Sequence, residues 1–182
     1  MKRPNGLPAV IAATWAASLL CATSATAWAG GADGVGQPVP EFRALGLDGS
    51  DLDLAALRGH VVVINLWATW CPPCRAEMPM LASFAHDHAA DGVILVALSA
   101  DDPHDRKDVS KALSGFTFQA ALLQGAAKNG FGLPAALPLT YVVDAQGVIR
   151  ARLQPTRAGL SRQDLEAAVR PLLPSLLAPA DR

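Results

Sequence analysis

The sequence predicts an α/β domain, a central mixed β-sheet flanked by helices. Three observations carry this. Val61–Leu66 and Val93–Ser99 are short, continuous apolar runs, the pattern of strands buried on both faces. Between them, apolar residues recur at helical spacing, so the three segments form a βαβ unit with parallel strands and a right-handed crossover. Further on, Leu139–Asp144 and Val148–Leu153 flank the turn Ala145-Gln146-Gly147 and read as an antiparallel hairpin, which makes the sheet mixed.

The 182 residues suffice for one domain with a real core. Net charge is −1, and removal of Lys2 and Arg3 leaves 13 basic against 16 acidic residues, a net −3. With no lysine- or arginine-rich run, nothing points to nucleic acid. Residues 1–29 read as a secretory signal: Lys2 and Arg3, an apolar Ala9–Ala22, then Ala27-Trp28-Ala29 before Gly30. The rival is an uncleaved membrane anchor, since no charge occurs from Pro4 to Ala32, although the densest apolar stretch is short for a span of ~20 residues. Ser-Leu-Leu before Cys21 lacks the small residues of a lipoprotein site. Each reading puts the domain outside the cytoplasm, in a periplasm or tethered to the outer face of the cytoplasmic membrane. Signal removal would leave only Cys71 and Cys74, and such a pair in a secreted chain favours redox activity over stapling.

The remaining elements follow in order. Residues 30–40 are Gly/Pro-rich and form a flexible leader. Glu41–Leu45 and Ser50–Leu54 flank a turn with Asp48-Gly49 and read as a hairpin. Leu54–Arg58 is one helical turn ended by Gly59. A helix starts at Cys71 or Pro72, because prolines suit a first turn, and runs to about His88. Met78, Leu81, Ala82 and Ala85 should face the sheet, and Pro79 should kink the helix. Asp101–Arg106 is a charged loop with His104 in solvent. A helix over 105–114, a strand at Gln119–Leu123 and a short helix at Ala126–Phe131 come next. Ser161–Arg170 is a helix with Ser161 and Asp164 at capping-box spacing and a stripe of Leu165, Val169, Leu172 and Leu173. The domain spans 41–177, and 178–182 form a tail.

The chemistry sits at Cys71-Pro-Pro-Cys74. The free N–H groups and the positive end of the helix dipole stabilise a thiolate at Cys71, and such settings lower a cysteine pKa well below ~8.5. Cys74, one turn in, can close a small disulfide ring and release a mixed-disulfide partner. Zinc wants about four ligands, and His60, His86, His88 and His104 show no ligand pair coupled to the motif. An inert disulfide is the other bland reading, but a strand-to-helix Cys-x-x-Cys is a redox pattern.

Asn65-Leu-Trp-Ala-Thr-Trp-Cys-Pro-Pro-Cys-Arg-Ala-Glu-Met-Pro79 resembles the active-site segment of the thioredoxin-like family containing TlpA, ResA and the cytochrome c maturation thioredoxins (CcmG-like), over roughly Gly36–Leu173. The resemblance implies a thioredoxin-like fold with an N-terminal β-hairpin and a β-α insertion. It implies that Pro138 is a cis-proline packed against the cysteines, with Leu137 offering its backbone to an extended substrate segment; alone, a proline before a buried strand is also an ordinary strand start. It implies that Glu77, otherwise a solvated helix charge, tunes the thiols and moves protons. Asn65 replaces the buried aspartate of cytoplasmic thioredoxins, so Glu77 or water must act as base. Trp67 belongs in the core, Thr69 is a small polar spacer, and Trp70 lies on the rim beside Cys71. Trp70, Pro72, Leu137 and Pro138 are the candidate substrate-contacting residues; Cys71, Cys74 and Glu77 are the candidate catalytic ones.

The function expected is reduction of protein disulfides, with Cys71 attacking and Cys74 resolving. By resemblance, a membrane thiol carrier donates the electrons and the substrates are apocytochrome c or copper-site cysteines. No cofactor or metal is implied. The rivals are a Sco-like copper chaperone, disfavoured because the later hairpin has no histidine; a peroxiredoxin, whose P-x-x-x-T-x-x-C pattern is absent; and a binding module without a reactive thiol.

Overall fold

Strand β3 (Val61–Trp67) is buried along its whole length because it is the middle strand of five. In this computed structural model, which describes residues 34–154 and 159–173, β3 pairs in parallel with β4 (Val93–Ser99), from Val61 opposite Val93 to Trp67 opposite Ser99. On its other side it pairs antiparallel with β7 (Leu139–Val143), Leu66 facing Leu139. β5 (Gln119–Leu122) extends the parallel side and β8 (Ile149–Leu153) the antiparallel side, giving the order β5-β4-β3-β7-β8. The expected signal 1–29 with Cys21, the leader before Gly34, and residues 174–182 lie outside the described residues.

Alternation along β3 and β4 builds two cores. Val61, Val63, Trp67, Leu95 and Ala97 point to one face, where they meet Met78, Leu81 and Phe84 of α1 (Pro72–Asp87), Val109 of α2 (Arg106–Ala112), and Leu165 and Val169 of α3 (Arg162–Val169). Val62, Ile64, Leu66, Val96 and Leu98 point to the other, which is covered by Phe42 of β1 (Phe42–Leu45) and Leu52 of β2 (Asp51–Asp53). The three helices therefore pack on one face, and a small sheet covers the second. In α1 the buried stripe is Met78, Leu81 and Phe84; Ala82 and Ala85 are only half-buried, because the larger ring of Phe84 takes the contact expected of the alanines. The helix continues through Pro79, which lies on its exposed side.

The clearest departure from the sequence reading is at residues 126–131. No helix forms there; instead β6 (Lys128–Asn129) pairs antiparallel with Phe42 and Arg43 of β1. Tertiary contacts override local propensity. The Gly130 N–H donates to the Glu41 carbonyl, and a Cβ at Gly130 would meet the Glu41 carbonyl oxygen at 3.0 Å, so any side chain there would push the two chains apart by a few tenths of an ångström. Phe131 then packs its ring on Phe42 and Tyr141, 6.2 and 5.9 Å between centroids. The insertion thus carries strand β5 but no helix after it.

Candidate active site

The site forms where β3 leaves the sheet. Ala68–Cys71 is a turn closed by the Cys71 N–H on the Ala68 carbonyl, and α1 begins at the next residue. Cys71 is the N-cap residue, with extended backbone, and its Sγ accepts the Cys74 N–H at 3.3 Å. Pro72 and Pro73 fill the first turn, where a missing N–H costs nothing, and no acidic side chain stands in that turn to oppose the dipole. Cys71 and Cys74 are joined by a disulfide, Cα atoms 5.3 Å apart. Both cysteines are buried, and Cys71, at 5% exposed against 1% for Cys74, is the less enclosed residue of the two. Trp70 beside it is 66% exposed, whereas Trp67 is fully buried, as expected.

Glu77 is not a solvated helix charge. It is 6% exposed, and its Oε1 accepts the Leu160 N–H at 3.1 Å from the segment entering α3. Its Oε2 has no hydrogen-bond partner among the described residues. Burial pushes its carboxyl pKa up, only partly offset by the Leu160 amide. A carboxyl held this way can carry a proton at a higher pH than a surface glutamate.

Just before β7, Leu137–Pro138 is a cis peptide bond and Pro138 is buried. Since Leu139 faces Leu66, Pro138 lies at the end of β3 from which the Cys71 turn departs. Leu137 is half-buried and Pro72 exposed. Asn65, buried in β3, donates from Nδ2 to Thr140 Oγ1 at 3.0 Å, and so ties the two strands one residue beyond the pair Leu66–Leu139. The turn that carries Cys71 and the Leu137–Pro138 bond therefore lie at the same end of the β3–β7 pair.

Sequence reading missed two members. Asp101, assigned to a charged loop, is 1% exposed, and Thr69, assigned as a spacer, is bound to it. Asp101 Oδ2 accepts the Thr69 N–H at 2.9 Å, and Oδ1 accepts the Thr69 hydroxyl at 2.5 Å. The Ser99 hydroxyl donates to Oδ2 at 2.5 Å. The signal was available: Asp101 comes just after the C-terminal end of a buried parallel strand, where sheets of this class place their functional groups.

A sequence profile of the AhpC/TSA family matches residues 35–152. The chain is 38% identical over 124 residues to the thiol:disulfide interchange protein DsbE of Yersinia pestis, covering 65% of this chain and 63% of that protein. It is 27% identical over 141 residues to the thiol-disulfide oxidoreductase ResA of Geobacillus thermodenitrificans, covering 77% and 79%. The crystal structure of a DsbF homologue from Corynebacterium diphtheriae matches with a TM-score of 0.59 at 30% identity, over 75% of this chain and 87% of that one. The aligned part thus spans less than two thirds of the Yersinia protein.

Proposed function

The chain belongs to the AhpC/TSA family, and from that premise we propose that it is an extracytoplasmic thiol–disulfide oxidoreductase that reduces disulfides of partner proteins. The observation that carries this reading is the Cys71–Cys74 disulfide at the start of α1, with the less buried cysteine at the N-cap. In the reduced protein, the Cys71 thiolate attacks one sulfur of a partner disulfide. A Cys71–partner disulfide forms and the partner's other sulfur leaves as thiolate. Cys74 then attacks Cys71 Sγ, the internal disulfide closes, and the second partner sulfur leaves. Two electrons pass to the partner, whose two sulfurs end as thiols.

Glu77, with its raised pKa, holds or passes the proton that Cys74 must lose. Trp70 and Pro72 are exposed next to Cys71 and, with the half-buried Leu137 whose backbone the buried cis-Pro138 orients, supply the surface on which an extended partner segment lies. A membrane thiol carrier returns the electrons. Apocytochrome c or copper-site cysteines are the substrate classes implied by the resemblance of the Cys71–Cys74 segment to the TlpA, ResA and cytochrome c maturation thioredoxins. Location outside the cytoplasm rests on residues 1–29 as signal or anchor; among the described residues no helix is long and apolar enough to cross a membrane.

The test is reduction of insulin disulfides. Cys71→Ser is expected to abolish it, while Cys74→Ser accumulates mixed disulfides with partners. A Cys71→Ser protein as active as wild type would refute the mechanism. The family name leaves a peroxide-consuming activity as the second reading, and a peroxide-consumption assay on the same reduced protein separates the two.

A further inference from the structure

We propose that Asp101 is a positioning residue for Cys71: by clamping Thr69 to the end of β4 it fixes the turn that seats the Cys71 sulfur on the N-terminus of α1. This rests on the reading of Cys71 as the attacking sulfur.

The carboxylate is buried, and none of the described ion pairs includes it. Three donors satisfy it instead, two from Thr69 and one from Ser99. The Asp101 N–H in turn donates to Ser99 Oγ at 3.0 Å, so the acceptor is held from its own backbone. Gln124, just past β5, donates from Nε2 to the Ala100 and Asp101 carbonyls, both at 3.3 Å, and the Ala100 N–H donates to the Trp67 carbonyl. The clamp is therefore anchored in three parallel strands.

What it holds is the second residue of the four-residue turn Ala68–Cys71. Held at both its amide and its hydroxyl, Thr69 has little freedom, and Trp70 and Cys71 follow it into place. The consequence is chemical because the stabilisation of a thiolate by a helix N-terminus falls off within one turn. A contact such as Cys74 N–H to Cys71 Sγ at 3.3 Å is lost with a small displacement of the turn. A clamp that fixes the turn thus holds the thiolate in the field that stabilises it.

The test is titration of the reduced full-length protein by thiolate absorbance, with the carbamidomethylation rate at neutral pH alongside. Wild-type Cys71 is expected well below ~8.5. Asp101→Ala should raise it by about one unit and slow alkylation at pH 7 up to tenfold. Asp101→Asn keeps the shape and one acceptor oxygen for the Thr69 N–H and the Ser99 hydroxyl, while its NH2 can only donate to the Thr69 hydroxyl oxygen; it should restore most of the wild-type value. Thr69→Val, which deletes only the hydroxyl donor, should give a smaller rise; it decides the matter if Asp101→Ala does not fold. An unchanged value in the folded variants would overturn the clamp. A fall in both the Ala and Asn variants would also overturn it, since the carboxylate would then be acting by its charge. A wild-type Cys71 that titrates as a free cysteine would instead refute the proposed function itself.

Discussion

The two ends of helix α1 are built on opposite plans. At its start, polar capacity is left over: the cap is a sulfur, the first turn has no acidic residue, and Glu77 Oε2 is buried without a partner among the described residues. At its end, everything is matched. His88 takes the C-cap position, its Nδ1 lies 2.9 Å from Asp91 and its Nε2 3.1 Å from Glu166. Arg162 pairs with both Asp87 and Glu166, and its guanidinium lies 5.7 Å from the centre of the Phe84 ring. α3 and the segment that leads into it span the two ends like a strut, meeting Glu77 through Leu160 and His88 through Glu166. The difference teaches where this molecule tolerates poor satisfaction: at the sulfur, and not at the far end of the same helix.

The contrast can be broken most strongly at Glu77. Glu77→Gln keeps an acceptor for Leu160 and removes a buried charge, so it should raise stability at neutral pH by about 2 kcal/mol. The sign follows from the raised folded pKa: wild type is least penalised below about pH 4.5 and loses stability as pH rises through the folded value, whereas the variant should not. Melting temperatures of both proteins across pH 4–8 check this; parallel curves would mean Glu77 is not desolvated in solution. The same substitution should flatten the pH dependence of disulfide reduction.

At the other end the expected effect is smaller. Burial lowers the His88 pKa, but Glu166 and Asp91 on its two ring nitrogens outweigh this and hold it above 6.5. Its contribution is then complete below about pH 6.5 and disappears as pH rises through the folded value. His88→Gln should cost about 1 kcal/mol at pH 6 and less at pH 9, read by urea unfolding at the two pH values. An equal loss at both would assign His88 a packing role only. The smallest effect is expected at the strut. Ser161 caps α3 through the Asp164 N–H, and Asp164 returns a bond to the Ser161 N–H. Ser161→Ala should lower stability by about 0.5–1 kcal/mol, seen as a lower melting temperature, with insulin reduction retained.

Much of this was legible because the carrying signals are local. The limits of β4, the start of α1 and the box at Ser161 and Asp164 depend on nearby residues, and the sequence reading placed them within a residue or two. The cysteine pair was read from its spacing alone. What failed depends on distant partners. In residues 126–131 the helix formers Ala126, Ala127 and Lys128 are followed by the turn pair Asn129-Gly130, and only pairing with β1 makes Lys128 and Asn129 a strand. Asp101 stands among Asp102, Asp105 and Arg106, and only its place just after the end of β4 separates the one carboxylate that turns inward from its charged neighbours. Glu77 reads locally as a solvated helix charge, and its burial required knowing that the chain at Leu160 crosses over it.

The two-residue strand β6 has a consequence for how the protein can be cut. It joins β1 from the side opposite β2, so a stretch from the middle of the chain completes the ribbon at its beginning. Shortening the amino-terminal part past Phe42 would strip the seat from Phe131 as well as the cover from Ile64 and Leu98. The two segments therefore stand or fall as one mechanical piece, and a minimal version of the domain has to keep both or lose both.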